Sequence, residues 1–355
     1  MAKELWKGNE AIAEAAIRAG CDCFFGYPIT PQSEVPEYMS LHMPEHGKVF
    51  VQSESELAAI NMVYGAAACG MRAMTSSSSP GISLKQEGIS YMVGAELPGV
   101  IVNVMRGGPG LGSIQPGQAD YYQATRGGGN GDYRTVVLAP ANLQEAVDLV
   151  QEAFDIADAY RNPVMVLADG LIGQMMEPIV WKEHVPRQLP EKTWAACGRG
   201  GREQNNFITS LLLEAAACEE RNLRFKAKFE EMERSECRWE ELLLEDAELV
   251  LVAYGTPSRI AHTACEHLRA QGIKAGILRP ITLWPFPTAR LREIAERSIV
   301  KAFLTVEMSQ GQMVDDVRLA VGERKRVAFY GRCGGVVPSV SEVEEAARRL
   351  YKEVQ

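Results

Sequence analysis

The chain has 355 residues, 46% of them hydrophobic and 23% charged, with a formal net charge of -9. That length and mix fit two ordinary globular domains and exclude a mostly disordered chain. The acidic balance speaks against nucleic acid or an anionic membrane as a partner, because such surfaces need clustered Lys and Arg.

From residue 8 to about 169, helix-like and strand-like pieces alternate. Asn9 is placed to cap a helix over 10–19 that Gly20 ends, and Cys23-Phe24-Phe25-Gly26 reads as the first buried strand. A short strand over 49–51 and an alanine-rich helix over 53–69 follow. Apolar runs of strand length then recur at 71–76, 99–105, 135–139 and 163–168, with helical stretches between most of them. Continuous apolar strands separated by helices predict a parallel sheet covered on both faces. Residues 180–201 hold prolines, charges and a glycine cluster and lead into a charged helical segment over 207–244, the pattern of a linker with a surface helix. A second βα series runs from 249 to the end, with strands at 249–253, 275–278, 302–306 and 327–330. Its helices are expected over 258–271, 288–297, 312–321 and 339–354. Three parts are expected: 1–175, a linker over 176–245, and 246–355.

No apolar run approaches the roughly 20 residues of a membrane span, and Met1-Ala2-Lys3-Glu4-Leu5-Trp6-Lys7 lacks the apolar centre of a signal peptide, so a cytoplasmic protein is expected. The eight cysteines are scattered at 21, 23, 69, 197, 218, 237, 265 and 333 with no C-x-x-C, which suits reduced thiols and supplies no ordinary iron–sulfur or zinc motif. The five histidines form no metal-like cluster.

Three positions carry candidate chemistry. In Tyr27-Pro28-Ile29-Thr30-Pro31 the two prolines stiffen an extended turn at a strand's end and present Thr30 where open α/β sheets bind ligands. The same residues also fit a turn whose threonine caps a helix beginning near Ser33. Glu56 opens a helix directly after a strand, with Gly65 nine residues on. It fits either a capping acid, a role that suits Glu54 too, or a carboxyl group in an apolar setting that exchanges a proton with a bound ring. Arg106 ends a strand and opens Arg106-Gly107-Gly108-Pro109-Gly110-Leu111-Gly112, where an arginine fork can read a substrate carboxylate. A merely structural loop is the other reading, and neither a P-loop nor a dinucleotide fingerprint is present. The run Gly127-Gly128-Gly129-Asn130-Gly131 is open between a flexible active-site or interface loop and a plain surface loop.

Together, Tyr27-Pro28-Ile29-Thr30-Pro31, Glu56 with Gly65, Thr75-Ser76-Ser77-Ser78-Ser79-Pro80-Gly81 and Arg106-Gly107-Gly108-Pro109 resemble the pyrimidine-binding (alpha-type) subunit of the 2-oxo acid:ferredoxin oxidoreductases. The likeness extends through Asn162-Pro163 to Asp169-Gly170. Beyond it, Leu278-Arg279-Pro280 to Pro287, Val306-Glu307-Met308 to Gln312 and Gly331-Arg332-Cys333-Gly334-Gly335 resemble a transketolase carboxy-terminal-type domain. The run from Gly112 through Gln115-Pro116-Gly117-Gln118-Ala119-Asp120-Tyr121-Tyr122 to Tyr133 is most similar to the branched-chain, 2-oxoisovalerate (3-methyl-2-oxobutanoate) type. The resemblance implies an α/β thiamine diphosphate-binding fold: a pyrimidine-binding domain plus a transketolase carboxy-terminal-like α/β domain.

It further implies that Glu56 hydrogen-bonds the aminopyrimidine of thiamine diphosphate and that Tyr27, Pro28, Ile29 and Ser78 line the cofactor. Thr30 and Arg106 would hold the 2-oxo acid. Coenzyme A would take the acyl group, and electrons would leave through iron–sulfur centres to ferredoxin. The sequence lacks the G-D-G motif that would hold Mg2+ and the diphosphate. A diphosphate-binding subunit, an iron–sulfur subunit and a gamma-type subunit are therefore expected as partners in a hetero-oligomer with two or more copies of this chain. A 2-oxoglutarate or pyruvate enzyme, a non-redox thiamine diphosphate transferase and a non-catalytic assembly subunit are the alternatives.

Overall fold

The computed structural model describes residues 3–355. The strands Gly99–Met105 and Pro163–Asp169 are buried at every residue, which is what an unbroken apolar run requires when helices cover both faces of a sheet. They lie at the centre of a seven-stranded sheet. Its order is Thr282–Trp284, Val136–Leu138, Pro163–Asp169, Gly99–Met105, Ala73–Ser77, Cys23–Gly26 and Val49–Gln52. Six of these strands are parallel, so the chain leaves them at one common edge. The helices Glu56–Ala68 and Pro80–Gly94 pack together over the sheet, and Gly88 permits the contact: a Cβ there would lie 2.5 Å from Ile60 Cγ2. Gly8–Arg18 and Leu143–Tyr160 form another such pair.

A second sheet of five strands runs Arg326–Gly331, Ala302–Glu307, Leu249–Val252, Ala275–Pro280 and Trp239–Leu242. The last is antiparallel and the others parallel. The two sheets are not separate bodies. Thr282–Trp284 leaves the second series and pairs antiparallel with Val136–Leu138 at the edge of the first sheet, and one apolar cluster runs from Ala11 to Val321 through both. Arg279, on the strand just before, donates two 2.8 Å hydrogen bonds to the Glu145 carboxylate and one to Glu240. Breaking such a bidentate pair leaves a partly buried carboxylate uncompensated. Arg279→Ala is expected to lower unfolding stability by about 2 kcal/mol, discounted from a fully buried pair because water still reaches Glu145. Denaturant titration reads this directly.

Several local expectations need correction. The first helix is Gly8–Arg18, so Asn9 lies inside it and caps nothing; it is buried and donates 2.7 Å hydrogen bonds to Pro31 O and to Glu34 Oε2. The chain enters that helix from a strand, Glu4–Lys7, which pairs antiparallel with Met176–Ile179. The stretch 176–245 thus begins and ends in strands, since Trp239–Leu242 joins the second sheet. Its helix is only Ala215–Glu236; residues 207–213 are non-helical. That helix buries Phe225, Phe229, Met232 and Glu236, half-buries Arg221 and Lys228, and leaves most of its other charged side chains to solvent.

Candidate active site

Thr30, Glu56, Ser78 and Arg106 all follow the carboxyl ends of parallel strands, so the topology alone brings them to one edge. Thr30 is exposed. Its carbonyl accepts a 2.9 Å hydrogen bond from Arg106 Nη1, and the next carbonyl, Pro31 O, accepts from Asn9 Nδ2 and Gln174 Nε2, each at 2.7 Å. The turn is therefore pinned by its backbone, and the hydroxyl caps no helix: Glu34–Glu45 has Ser33 at its cap position. Of the other turn residues, Tyr27 and Pro28 are exposed and Ile29 half-buried.

Glu56 is the first residue of its helix and is 6% exposed, while Glu54 points to solvent. The capping role belongs to Ser55, whose hydroxyl accepts the Ala58 amide at 3.2 Å. The Glu56 carboxylate instead lies across Gly81 in the first turn of Pro80–Gly94. A Cβ at residue 81 would meet Ser77 Oγ at 2.1 Å and Glu56 Oε1 at 2.5 Å, so only glycine fits. The Ser77 hydroxyl beside this carboxylate, and that of the next residue, Ser78, are buried with no hydrogen-bond partner. Unpartnered buried hydroxyls cost free energy unless something else meets them. Beneath lies Lys85, fully buried, its Nζ 3.0 Å from Thr75 Oγ1. Burial pulls this amine down to about 7, with the Glu56 charge pulling the other way. Gly65 is exposed with open space around it.

Arg106, 7% exposed, forks between two loops: Nη1 to Thr30 O and Nη2 to Leu111 O, both at 2.9 Å. Its Nε is buried without a partner. Its backbone amide donates to Ser79 Oγ at 3.0 Å. Ser79 holds φ at 21°, an uncommon conformation for a residue with a side chain, and two neighbours fix it there. Its amide donates to Asn103 Oδ1 at 3.2 Å and its hydroxyl to Asp120 Oδ2 at 2.6 Å. Asn103 Nδ2 also donates to Asp120 Oδ2, at 2.9 Å. Burial pushes the Asp120 carboxyl up, opposed by the bonds from Ser79 and Asn103 and by the Arg106 charge. The glycine run 127–131 lies partly against the helix Pro80–Gly94, with Gly128, Asn130 and Gly131 exposed. Gly128 N donates to Gln86 Oε1 at 3.0 Å, and a Cβ on Gly129 would lie 2.6 Å from Gln86 O.

Residues 14–235 match the family model described as pyruvate flavodoxin/ferredoxin oxidoreductase, thiamine diphosphate-binding, and residues 247–343 match pyruvate:ferredoxin oxidoreductase core domain II. The ketoisovalerate oxidoreductase subunit VorB of Methanothermobacter thermautotrophicus is 53% identical over 351 residues, covering 99% of this chain and 98% of the relative. The chain belongs to the 2-oxoacid:ferredoxin oxidoreductases. It is a subunit of such an enzyme rather than the whole of one. Among solved structures, 2-oxoglutarate:ferredoxin oxidoreductase from Magnetococcus marinus, with 2-oxoglutarate, coenzyme A and succinyl-CoA bound, superposes with a TM-score of 0.89 at 26% identity. That likeness covers 99% of this chain and 65% of the Magnetococcus chain. A split-gene transketolase in an inactive beta4 tetramer matches with a TM-score of 0.61 at 16% identity, covering 98% of this chain and 99% of that one, a likeness of fold alone. The expected pairing of a pyrimidine-binding domain with a transketolase-like one thus describes the fold.

Thiamine diphosphate is the family's cofactor, and the pyrimidine side of a site for it fits what is present. A buried carboxylate needs a partner group, the unpartnered Ser77 hydroxyl stands beside it where Gly81 leaves room, and the Ser78 hydroxyl one residue on is buried and unpartnered too. Among the described residues there is no cluster of three or more His, Cys, Asp or Glu arranged for a metal ion, and no helix long and apolar enough to cross a membrane. Sequence reasoning named Thr30, Glu56, Ser78 and Arg106. It missed Ser77, Lys85 and Asp120. Ser77 and Asp120 do lie inside runs that carry the family likeness, and that is the signal that could have found them.

Proposed function

We propose that this chain builds the pyrimidine side of a thiamine diphosphate site shared with a partner subunit. In the assembled enzyme, 3-methyl-2-oxobutanoate is oxidatively decarboxylated to an acyl-CoA and CO2 as ferredoxin is reduced. The observation that carries this reading is the Glu56 carboxylate, buried across Gly81 beside a Ser77 hydroxyl that has no partner within the chain. When bound, thiamine diphosphate supplies a nucleophilic carbon and a sink for the electrons released with CO2. Glu56 holds and exchanges the proton at N1′ of the aminopyrimidine, and the apolar helix around it keeps water from competing. Ser78 with Tyr27, Pro28 and Ile29 lines the ring. Arg106, whose Nε is free of protein partners, holds the substrate carboxylate, and the Thr30 hydroxyl beside it meets the oxo or carboxylate oxygen.

A partner covering this edge has support in the exposed side of the same two helices. Leu57, Met62, Leu84 and Tyr91 are between 37% and 53% exposed there, an apolar surface beside Glu56. The proposed partners are a diphosphate-binding subunit carrying Mg2+, an iron–sulfur subunit, a gamma-type subunit and further copies of this chain. Substrate type rests on the ketoisovalerate relative at 53% identity, against 38% for the 2-oxoglutarate synthase subunit KorA of the same Methanothermobacter strain. The native complex, purified and assayed for viologen or ferredoxin reduction with coenzyme A, is expected to prefer 3-methyl-2-oxobutanoate over 2-oxoglutarate by at least about 10-fold in kcat/KM. The reverse preference would remove the branched-chain assignment.

A further inference from the structure

The segment 118–126 is held from the second sheet's side at Gln118, Ala119, Tyr121, Tyr122 and Arg126. Gln118 exchanges bonds with Met308, its N to Met308 O at 2.8 Å and Met308 N to its Oε1 at 3.0 Å, and its Nε2 donates to Tyr254 O at 3.0 Å. Gln312 accepts the Tyr122 amide at 2.8 Å and donates to Ala119 O at 2.7 Å, so it clamps both flanks of Asp120. The Tyr121 hydroxyl donates to Asp316 at 2.6 Å, the Tyr122 hydroxyl to Asp315, and Arg126 pairs with Asp316 at 3.0 Å. Asp120 projects the other way, to Ser79 and Asn103, and Ser79 receives the Arg106 amide. A second grip acts on the loop after Arg106. A Cβ on Gly107 would lie 2.8 Å from the Gly334 carbonyl carbon and 2.9 Å from Gly335 N, so backbone packs on backbone. Gly335 itself sits at φ 107° with Gln115 against it.

We propose that the second α/β unit is the positioning element for the Arg106 and Thr30 half of the site. It acts through Asp120 as a positioning residue and through the Gly107 contact with Gly334 and Gly335. The proposal rests on the reading that Arg106 and Thr30 meet the substrate. The connection is continuous: Gln312 fixes 119–122, Asp120 fixes Ser79, Ser79 fixes the Arg106 backbone, and the Arg106 fork fixes Thr30. Glu56 makes no bond within it and lies across Gly81 beside Ser77. A device of this kind moves substrate affinity and leaves the grip on the pyrimidine alone, because small displacements of an orienting group are costly for the ligand it orients.

The test uses the assembled complex with Gln312→Glu, which loses the donor to Ala119 O, and Gln312→Ala, which loses both bonds. KM for the 2-oxo acid is expected to rise about 3-fold and about 10-fold respectively, with kcat changing less and half-saturation by thiamine diphosphate within about 2-fold of wild type. Hydrogen exchange supplies a readout besides activity. In Gln312→Ala the amides of Ser79 and Arg106 are expected to exchange at least about 10-fold faster, while those of Ile60 and Val63 stay unchanged. If the Gln312 variants do not assemble, Tyr121→Phe, which loses one hydroxyl bond, gives the same readouts at smaller amplitude. An unmoved KM with unmoved Ser79 and Arg106 amides overturns the proposal, as does a parallel loss of thiamine diphosphate affinity, which marks general loosening. The arms separate the failures: a wild-type complex inert toward 2-oxo acids removes the functional reading, whereas unmoved amides remove the coupling.

Discussion

Glu56→Gln, incorporated into the assembled complex, is expected to lower kcat for oxidative decarboxylation by about 10²- to 10³-fold, the range for losing a positioned proton-exchanging group. The substitution keeps the volume that lies across Gly81, so the close approach between Glu56–Ala68 and Pro80–Gly94 survives. Assembly and thermal midpoint should therefore stay near wild type. Glu56→Ala is the harsher variant: it opens a cavity beside Ser77 and leaves the fully buried Lys85 facing no nearby charge. It is expected to lose most of the activity while the subunits still associate. Steady-state assay beside size-exclusion chromatography distinguishes these outcomes, and full activity of Glu56→Ala would take Glu56 out of the cofactor role.

Arg106→Leu is expected to lower kcat/KM for the 2-oxo acid by about 10³-fold, because under the proposed function the side chain serves the ligand as well as the two loops it bridges. Its loss leaves Thr30 O and Leu111 O without their donor and removes the cation from a nearly dry setting. Arg106→Lys is the informative companion. A lysine carries the charge but no planar fork, so it cannot serve both carbonyls and a carboxylate together. It is expected to recover only about a tenth of the lost kcat/KM, with the deficit in KM. Full recovery by lysine would mean that charge alone matters and that bridging 30 to 111 does not.

The sequence stated much of the first sheet in advance because its signal is local. Gly99–Met105 and Pro163–Asp169 are apolar from end to end, and burial on both faces demands that. Thr30, Glu56 and Arg106 were legible as a set because each follows a recognisable strand, and a parallel sheet sends such positions to one edge. The failures share a cause. Asn9 has a capping residue type but is buried by Pro31 and Glu34, more than twenty residues away in sequence. Thr282–Trp284 is three residues long between prolines, and only its partner Val136–Leu138 makes it a strand. Asp120 sits in a run with no period, and its role appears only when Ser79 and Gln312 arrive from distant parts of the chain. Lys85 carries no local signal of its burial, which comes from the packing of two helices.

The pairing of Thr282–Trp284 with Val136–Leu138 also sets a timetable for biosynthesis. A nascent chain that has delivered everything up to Glu236 holds six strands of the first sheet, yet the row of backbone groups along Val136–Leu138 is still open. Until the ribosome has released residue 284, that border is available to any other extended segment, including the same border on a neighbouring nascent chain. A cut between the two sheets would leave that border of the first sheet permanently unpaired.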